Sequence, residues 1–182
     1  MDTKKLGGLL RKIGRRVWLL IIPGGLLILF ATLIFKARSM FQKYKQIFAS
    51  LGMPEKVSYY AYFQSMHETA GFTSALFRDL NNVGGYTFKG QAGASKGRPL
   101  PENKTVFYAK YSSVEDSIRE QAAYYKRPAR TRPGLRYETV KDCKTFTECA
   151  QFLHDEGYYT DSVQNYASGL SRWAKLKPLT NA

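Results

Sequence analysis

One acidic residue of this chain lies where a carboxyl could transfer a proton. Glu68 follows an apolar, aromatic stretch, residues 57–66, and precedes Gly71, so it stands near the C-terminal end of a helix predicted over residues 55–69. The helix dipole and apolar neighbours both disfavour a carboxylate there. Both effects predict a raised pKa, as a general acid near neutral pH requires. We interpret Glu68 as a proton donor; the simpler alternative is a surface Glu at a frayed helix end.

A pair of asparagines follows a second, short helix predicted over residues 72–80. Asn81 and Asn82 turn the chain into a glycine-rich segment, residues 83–104, that contains few helix formers. Their amides could hydrogen-bond a sugar amide, although capping and turn formation also explain them. The segment predicts a small, flexible β-lobe that returns through a strand over residues 106–111. Flexible loops over a cleft are where substrate contacts concentrate.

The helices that must position these groups are marked by periodicity and capping residues. Apolar residues recur at helical spacing over residues 37–51, which predicts a helix leading into the domain. Capping-box patterns at residues 112–115 and 145–148 each begin a further helix, and residues 163–173 belong to the last. The basic, proline-containing segment 126–136 is predicted to be a loop. The fold class is therefore mainly α, an α+β fold with one small β insertion.

Charge is distributed unevenly along the chain. The net charge of +14 first suggests nucleic acid, but residues 1–50 hold ten Lys or Arg against one acid, and residues 51–182 hold eighteen against thirteen. Much of the excess flanks a run of nineteen uncharged residues, Val17 to Phe35. Such a run spans roughly the 30 Å of a bilayer core. We predict an uncleaved transmembrane anchor, because no small-x-small cleavage site follows the run.

The chain is thus divided into five parts. They are a basic arm (1–16), a transmembrane signal anchor (17–36), an amphipathic connecting helix (37–53), a globular domain (54–176) and a tail (177–182). The positive-inside bias modestly favours an inner N-terminus, which makes the domain extracytoplasmic. In that compartment Cys143 and Cys149 could close a small disulfide loop, and two free thiols are an equal alternative.

Several other functions find no support in the residue pattern. The soft metal-ligand candidates match no zinc spacing, and no phosphate-cradling Gly-x-x-x-x-Gly-Lys motif occurs. We therefore predict no metal and no organic cofactor. The thirteen tyrosines could stack on sugars, on bases or on each other. In a helical domain with an acid in this place, sugars and core packing are favoured over nucleic acid.

The order of these pieces resembles the glucosaminidase family, glycoside hydrolase family 73, which contains many bacterial and phage peptidoglycan hydrolases. Four segments carry the resemblance, in the family's order: Glu68-Thr69-Ala70-Gly71-Phe72-Thr73-Ser74, Asn81-Asn82-Val83-Gly84-Gly85, Tyr111-Ser112-Ser113-Val114-Glu115-Asp116-Ser117, and Gly157-Tyr158-Tyr159-Thr160-Asp161 with Asn165-Tyr166. The resemblance covers about residues 54–174. It implies a lysozyme-like fold and cleavage of the β-1,4 bond next to N-acetylglucosamine, without a metal or organic cofactor.

The resemblance also assigns roles to residues. It implies that Glu68 is the general acid and that Tyr158 or Tyr159 lies beside the sugar, supporting an oxocarbenium-like state or the acetamido group. Candidate substrate contacts are Asn81, Asn82, Phe72, Tyr86, Tyr111 and Tyr166. The family often carries a second carboxylate in its β-lobe, and between Asn82 and Tyr111 the only acid is Glu102. Glu102 is thus the candidate second catalytic group, and a solvated loop residue is its alternative.

These inferences favour a membrane-anchored peptidoglycan hydrolase, with two alternatives. A lytic transglycosylase of the same fold needs only one acid, because the substrate's own 6-hydroxyl replaces a protein nucleophile. A non-catalytic protein of the envelope or virion would keep the fold to bind peptidoglycan. The expected partners are glycan strands and, through residues 17–36, a lipid membrane, with envelope or virion assembly proteins as further candidates. The expected location is the periplasmic face of a bacterial membrane or the membrane of a phage virion.

Overall fold

The computed structural model of the protein describes residues 39–176. Helix α1 covers residues 39–50. The other elements in chain order are α2 (Glu55–Glu68), α3 (Ala75–Leu80), β1 (Ala94–Pro99), β2 (Phe107–Tyr111), α4 (Val114–Lys126), α5 (Arg136–Asp142), α6 (Phe146–Asp155) and α7 (Val163–Leu176). The described residues are therefore mainly helical with a small two-stranded sheet, which confirms the predicted α+β class.

Helix α2 lies at the centre of the fold. Its residues from Val57 to Met66 are buried with the exception of Tyr59, which is partly exposed, so the helix is covered on nearly every side. A helix buried all round must be enclosed by other elements, and α2 contacts both α5 and α7. The aromatic richness that predicted a central helix thus corresponds to packing on all its faces.

Helix α1 contributes its apolar face to the same core. Tyr44 and Phe48 are fully buried, and Tyr44 packs edge-on against Tyr62 of α2 with ring centroids 5.6 Å apart. Lys43 also forms an ion pair with Glu115 at the start of α4. The helix predicted over residues 37–51 is therefore present over residues 39–50 and packs against the rest of the domain.

Short polar side chains cap three of the helices. Ser113 accepts from the Asp116 amide (3.1 Å) at the start of α4, and Thr145 accepts from the Glu148 amide (3.1 Å) at the start of α6. Ser74 caps α3 in the same way. Thr145 is therefore confirmed as the cap that begins α6, although Glu148 accepts from the Lys144 amide and not from that of Thr145. The cap of α4 is Ser113, one residue later than the pattern starting at Ser112 predicts.

The segment between α4 and α5 forms the predicted loop, and a buried carboxylate holds it. Glu156 accepts hydrogen bonds from the amides of Arg130 (2.8 Å) and Thr131 (2.9 Å) and from Arg136 Nε (2.9 Å). Burial alone would raise its pKa, but these bonds lower it. The loop runs over residues 127–135. Helix α5 follows it directly and was not predicted.

The two strands belong to a segment that we call the strand lobe, residues 83–111. They pair antiparallel with Lys96 opposite Ala109 and Pro99 opposite Phe107, and the register shifts between these pairs. Gly97 lies at the shift, where a Cβ would stand 2.8 Å from the carbonyl oxygen of Tyr108. The strand predicted over residues 106–111 is confirmed, and β1 is its partner.

The sequence left open whether Cys143 and Cys149 form a disulfide. Cys143 and Cys149 are free, buried thiols, and their sulfurs lie near two consecutive carbonyls of α5, those of Thr139 (3.5 Å) and Val140 (3.8 Å).

Among residues 39–176 no helix is both long and apolar enough to cross a bilayer. The predicted basic arm, the transmembrane segment and the tail lie outside the described residues.

Candidate active site

Helix α2 ends at Glu68 in an abrupt turn. Ala70, Gly71 and Phe72 all have left-handed backbone angles, with φ of 49°, 70° and 64°. Thr69 holds this turn, because its hydroxyl donates to the Ser65 carbonyl (2.6 Å) and accepts from the Phe72 amide (3.0 Å). Left-handed angles at non-glycine residues persist only where the surroundings enforce them. The helix predicted from residue 72 therefore starts later, at Ala75.

Two glycines let helix α7 approach the end of α2 closely. A Cβ on Gly71 would lie 2.7 Å from the Trp173 ring, and a Cβ on Gly169 would lie 2.3 Å from the His67 ring. Neither distance is compatible with a side chain in place of hydrogen. This close approach brings Tyr166 of α7 to Glu68, where the Tyr166 hydroxyl donates to Glu68 Oε1 at 2.8 Å.

The Glu68 carboxyl is largely enclosed by protein. Burial raises its pKa above the ordinary glutamate value, while the hydrogen bond from Tyr166 acts in the opposite direction and lowers it. The net rise agrees in direction with the expectation from the sequence. A carboxyl with a raised pKa keeps more of its proton near neutral pH and can donate it to a bound group.

Aromatic rings fix the side chain that bonds Glu68. Tyr159 stacks on Tyr166 with ring centroids 3.8 Å apart and an interplanar angle of 11°, and His67 meets the same ring edge-on at 4.9 Å. The Tyr159 hydroxyl donates to the Ala150 carbonyl at 2.8 Å. Burial lowers the pKa of His67, partly offset by Asp161, which favours a neutral ring. Tyr159 therefore packs against the ring of Tyr166, and its own hydroxyl is bonded to the backbone.

A buried polar network lies one helical turn below Glu68. Gln64 Oε1 accepts from Gln121 Nε2 (2.9 Å) and from the Tyr125 hydroxyl (2.8 Å), and Ser65 donates to Gln121 Oε1 (3.0 Å). Gln64 also opposes the rise in the pKa of Tyr166, so the network reaches the hydroxyl that bonds Glu68. Sequence reasoning missed this network. A glutamine four residues before the acid, inside an otherwise aromatic helix, was the available signal.

Tyr158 lies between the acid and the strand lobe. Glu68 and Tyr166 both raise the pKa of its hydroxyl, after burial as the main cause. This hydroxyl and that of Tyr86 are buried, and neither makes a hydrogen bond of ordinary geometry to another described residue, although each affects the pKa of the other. Tyr158 is thus a protonated donor within electrostatic reach of Glu68.

The asparagine pair holds the start of the strand lobe. Asn81 ends α3 with a left-handed φ of 52° and donates to the Tyr111 carbonyl at 3.1 Å. Asn82 is fully buried and makes four hydrogen bonds to backbone groups, donating to the carbonyls of Tyr86 and Ala109 and accepting from the amides of Gly84 and Tyr86. Its amide is therefore committed to the fold in this structure.

The remaining sequence candidates lie in different settings. Phe72 is buried against Tyr62 and Phe77 with centroids 5.6 and 5.2 Å apart. Tyr111 is buried, and its hydroxyl accepts from Gln91 Nε2 at 3.3 Å. Glu102 is exposed in the loop joining β1 to β2. No hydrogen bond or ion pair joins Glu102 to another residue in the described range. The structure thus brings Glu68, Tyr158, Tyr159 and Tyr166 together and leaves Glu102 apart.

Within residues 39–176 no group of three or more His, Cys, Asp or Glu side chains is arranged to hold a metal ion.

A mainly helical domain with a small two-stranded sheet is consistent with a lysozyme-like α+β fold. A comparison of the sequence with family models identifies the family. Residues 41–176 match the Glucosaminidase model, described as mannosyl-glycoprotein endo-β-N-acetylglucosaminidase. The chain belongs to this family, which confirms the resemblance found in the sequence. No curated protein matches the chain significantly.

Solved structures of similar fold include three bacterial proteins. The catalytic domain of the autolysin Auto from Listeria monocytogenes has a TM-score of 0.57 and 17% identity, covering 99% of this chain and 97% of that one. A peptidoglycan hydrolase from Sphingomonas sp. A1 has 0.51 and 19%, covering 78% and 92%. A type VI secretion system effector–immunity complex from Pseudomonas protegens has 0.51 and 18%, covering 76% and 89%. At these identities the likeness is one of fold.

Proposed function

We propose that this protein is a peptidoglycan hydrolase that cleaves the β-1,4 glycosidic bond next to N-acetylglucosamine, with Glu68 as general acid. The observation that carries the proposal is the enclosed Glu68 carboxyl at the end of α2, held by Tyr166 at 2.8 Å and raised in pKa by burial. Membership of the Glucosaminidase family supports the reaction class. Peptidoglycan is named as the substrate of the Sphingomonas hydrolase, which shares the fold.

The proposed reaction begins with proton transfer from Glu68 to the glycosidic oxygen as the C1–O bond breaks. The sugar then acquires oxocarbenium-like charge, and its own acetamido oxygen relieves this charge by bonding to C1. Water adds to C1 and opens the ring so formed, and the Glu68 carboxylate takes the proton of that water. Tyr158, a buried donor near Glu68, is proposed to orient the acetamido group. This scheme uses one protein carboxyl.

Lytic transglycosylation is a second candidate, and the position of Glu102 favours keeping it. That carboxyl is exposed and unpaired within the described structure, so no second carboxylate supports Glu68. In this alternative the 6-hydroxyl of N-acetylmuramic acid attacks C1 of the same sugar, and its proton passes to Glu68. The product is a 1,6-anhydro sugar, and no water is consumed.

Product analysis tests both candidates. The full chain, purified in detergent, is incubated with purified peptidoglycan, and the soluble products are identified by mass spectrometry. Reducing N-acetylglucosamine ends are expected from the wild type, and Glu68→Gln should release none while its thermal midpoint is no lower than that of the wild type. Anhydromuramic ends would assign the protein to the second candidate. Absence of any release by the wild type would overturn both and favour a peptidoglycan-binding role.

The proposed setting is an extracytoplasmic domain tethered to a membrane through residues 17–36. The uncharged run Val17 to Phe35 between basic flanks supports the tether. In fractionated cells the protein should sediment with membranes, and protease added outside the membrane should cleave the domain. Recovery in the soluble fraction after lysis would contradict the tether, and recovery in purified phage particles would place that membrane in a virion.

A further inference from the structure

A recess on the side of the strand lobe shares only Tyr158 with the scheme above. We call it the lateral recess; its walls include Tyr86, Lys89, Tyr124, Arg127 and Tyr158, and its volume is about 450 Å³. It opens between the start of the strand lobe, the end of α4 and the segment after α6. The walls also include the carboxylate of Glu120, so the charged lining is two cations and one acid beside three tyrosines. The excess of cations and the tyrosine hydroxyls suit a polar, anionic ligand.

The two cations belong to different segments of the chain and are both exposed. Lys89 precedes β1 and makes no ion pair with another described residue, whereas Arg127 follows α4 and pairs with Glu120 at 3.1 Å. The Arg127 side chain remains 57% exposed in that pair. An exposed pair of this kind is weak and can exchange partners. An incoming carboxylate could therefore engage both cations.

The tyrosines supply unused hydrogen-bond donors at the base of the recess. The hydroxyls of Tyr86, Tyr124 and Tyr158 are buried, and none makes a hydrogen bond of ordinary geometry to another described residue. Those of Tyr86 and Tyr158 interact with each other, so at most one of the two is satisfied as a donor by this contact and the Tyr124 hydroxyl is left for a ligand. Burial raises the pKa of each, that of Tyr124 to about 12, so all three keep their protons at neutral pH. Buried donors without partners are uncommon in folded proteins, and a ligand or ordered water usually satisfies them.

Tyr158 connects the lateral recess to the proposed reaction. It lines the recess and also lies within electrostatic reach of Glu68, so a chain cut at Glu68 would continue into or past the recess. The sugars of the glycan are largely uncharged and do not need two cations. The peptides attached to the glycan end in, and carry along their length, free carboxylates, which match the charge of Lys89 and Arg127.

We propose that the lateral recess binds a carboxylate of the peptide attached to the peptidoglycan strand, through Lys89 and Arg127. The proposal rests on the proposed function and narrows its substrate to strands that retain their peptides. Phosphate-containing wall polymers offer a similar charge, and substrates free of such polymers separate the two sources.

The test compares two substrates, both free of phosphate polymers: glycan strands that carry peptides and strands stripped of them by an amidase. The double variant K89Q/R127Q should lower the ratio of kcat/KM on the two substrates, peptide-bearing over bare, by about tenfold. The matched variant R98Q/K104Q removes one Arg and one Lys that are also exposed in the strand lobe, and it should leave the ratio unchanged.

Each outcome decides the proposal. An unchanged ratio in K89Q/R127Q, or an equal fall in R98Q/K104Q, overturns it, the latter by showing that general charge attraction is responsible. A fall seen only when phosphate polymers are added back assigns the recess to those polymers and also overturns it. Failure of the wild type on both substrates is a separate result, which defeats the proposed function. Thermal midpoints of both variants confirm that they fold.

Discussion

The α2–α7 junction and the strand lobe treat their acids in opposite ways. At the junction, Glu68 is enclosed by aromatic rings and hydrogen-bonded by Tyr166. In the strand lobe, residues 83–111, one acid stands among five Lys or Arg, and this acid, Glu102, is exposed and unpaired within the described structure. Glu68 is thus built into the core, whereas the strand lobe is basic and its one acid is exposed. This difference is what the proposed scheme, in which the substrate or water rather than a second carboxylate completes the reaction, leads one to expect.

We expect the largest difference in activity between variants of the two carboxyls, Glu68 and Glu102. Glu68→Gln should lower kcat/KM on peptidoglycan by about a thousandfold, since a general acid contributes an effect of this order. Glu102→Gln should change it by less than about twofold, because its carboxyl is exposed and makes no hydrogen bond or ion pair with another described residue. Release of soluble muropeptides measures both variants. A hundredfold loss in Glu102→Gln would break the comparison, because it would show that the strand lobe closes and brings Glu102 to the bond.

Gly169 tests whether the close approach of α7 to α2 is required. Alanine in place of a helical glycine usually stabilises by roughly 1 kcal/mol. Here its Cβ would lie 2.3 Å from the His67 ring, so Gly169→Ala should instead lower the free energy of unfolding by roughly 2 kcal/mol. Denaturant unfolding of the full chain in detergent measures the change.

The partner of this clash provides the control. In a His67→Ala background the obstructing ring is absent, so adding Gly169→Ala should cost nothing and should recover the helix-forming gain of roughly 1 kcal/mol. The same loss in both backgrounds would show that the junction is not limited by this contact. It would also remove the steric reason for the position of Tyr166.

Tyr166→Phe sharpens the description of the junction, because it removes one hydrogen bond and keeps the ring. That bond lowers the pKa of Glu68 against the rise caused by burial. Without it the pKa should rise further, so the alkaline limb of the activity profile should move to higher pH. The matched variant Tyr159→Phe loses a bond to the Ala150 carbonyl instead and should leave that limb in place. A shift to lower pH in Tyr166→Phe would contradict the assignment of the donor.

Local patterns predicted much of this fold. Apolar periodicity located α1, α2, α4, α6 and α7, and capping residues such as Thr145 marked where helices begin. The end of α2 near Glu68 followed from Gly71, which the turn needs for its left-handed angle and for contact with Trp173. These features depend on neighbours close in sequence, so one sequence was enough to find them.

Contacts between residues far apart in the sequence could not be predicted in this way. Tyr166 is 98 residues from Glu68, and nothing local indicates that its hydroxyl bonds that carboxyl. Gln64 and Gln121 are 57 residues apart in the sequence and form a hydrogen bond in the core. The sequence of a helix does not show which distant residue its polar side chain will bond. Asn82 was considered for sugar binding, yet its four backbone bonds arise only when the strand lobe folds back on it. Such roles depend on the packing of α7 and α4 against α2 and on the contact of β2 with Asn82.

The smallest predicted effect concerns the stability cost of enclosing Glu68. In the unfolded chain its carboxyl ionises at the usual pH, but in the folded protein burial raises the pKa. Folding stability should therefore fall as pH rises from the usual glutamate pKa through the raised one, because the folded state then holds a desolvated carboxylate. Gln cannot ionise, so Glu68→Gln should exceed the wild type in thermal midpoint by about 2–4 °C at neutral pH. The difference should vanish at about pH 3.5, where the wild-type carboxyl is protonated in both states.

Glu102→Gln is the control, and its exposed position predicts no pH-dependent difference from the wild type. If Glu68→Gln lowered the midpoint equally at both pH values, the carboxylate would be a stabilising partner of Tyr166, and the contrast between an enclosed donor and an open lobe would lose its energetic basis.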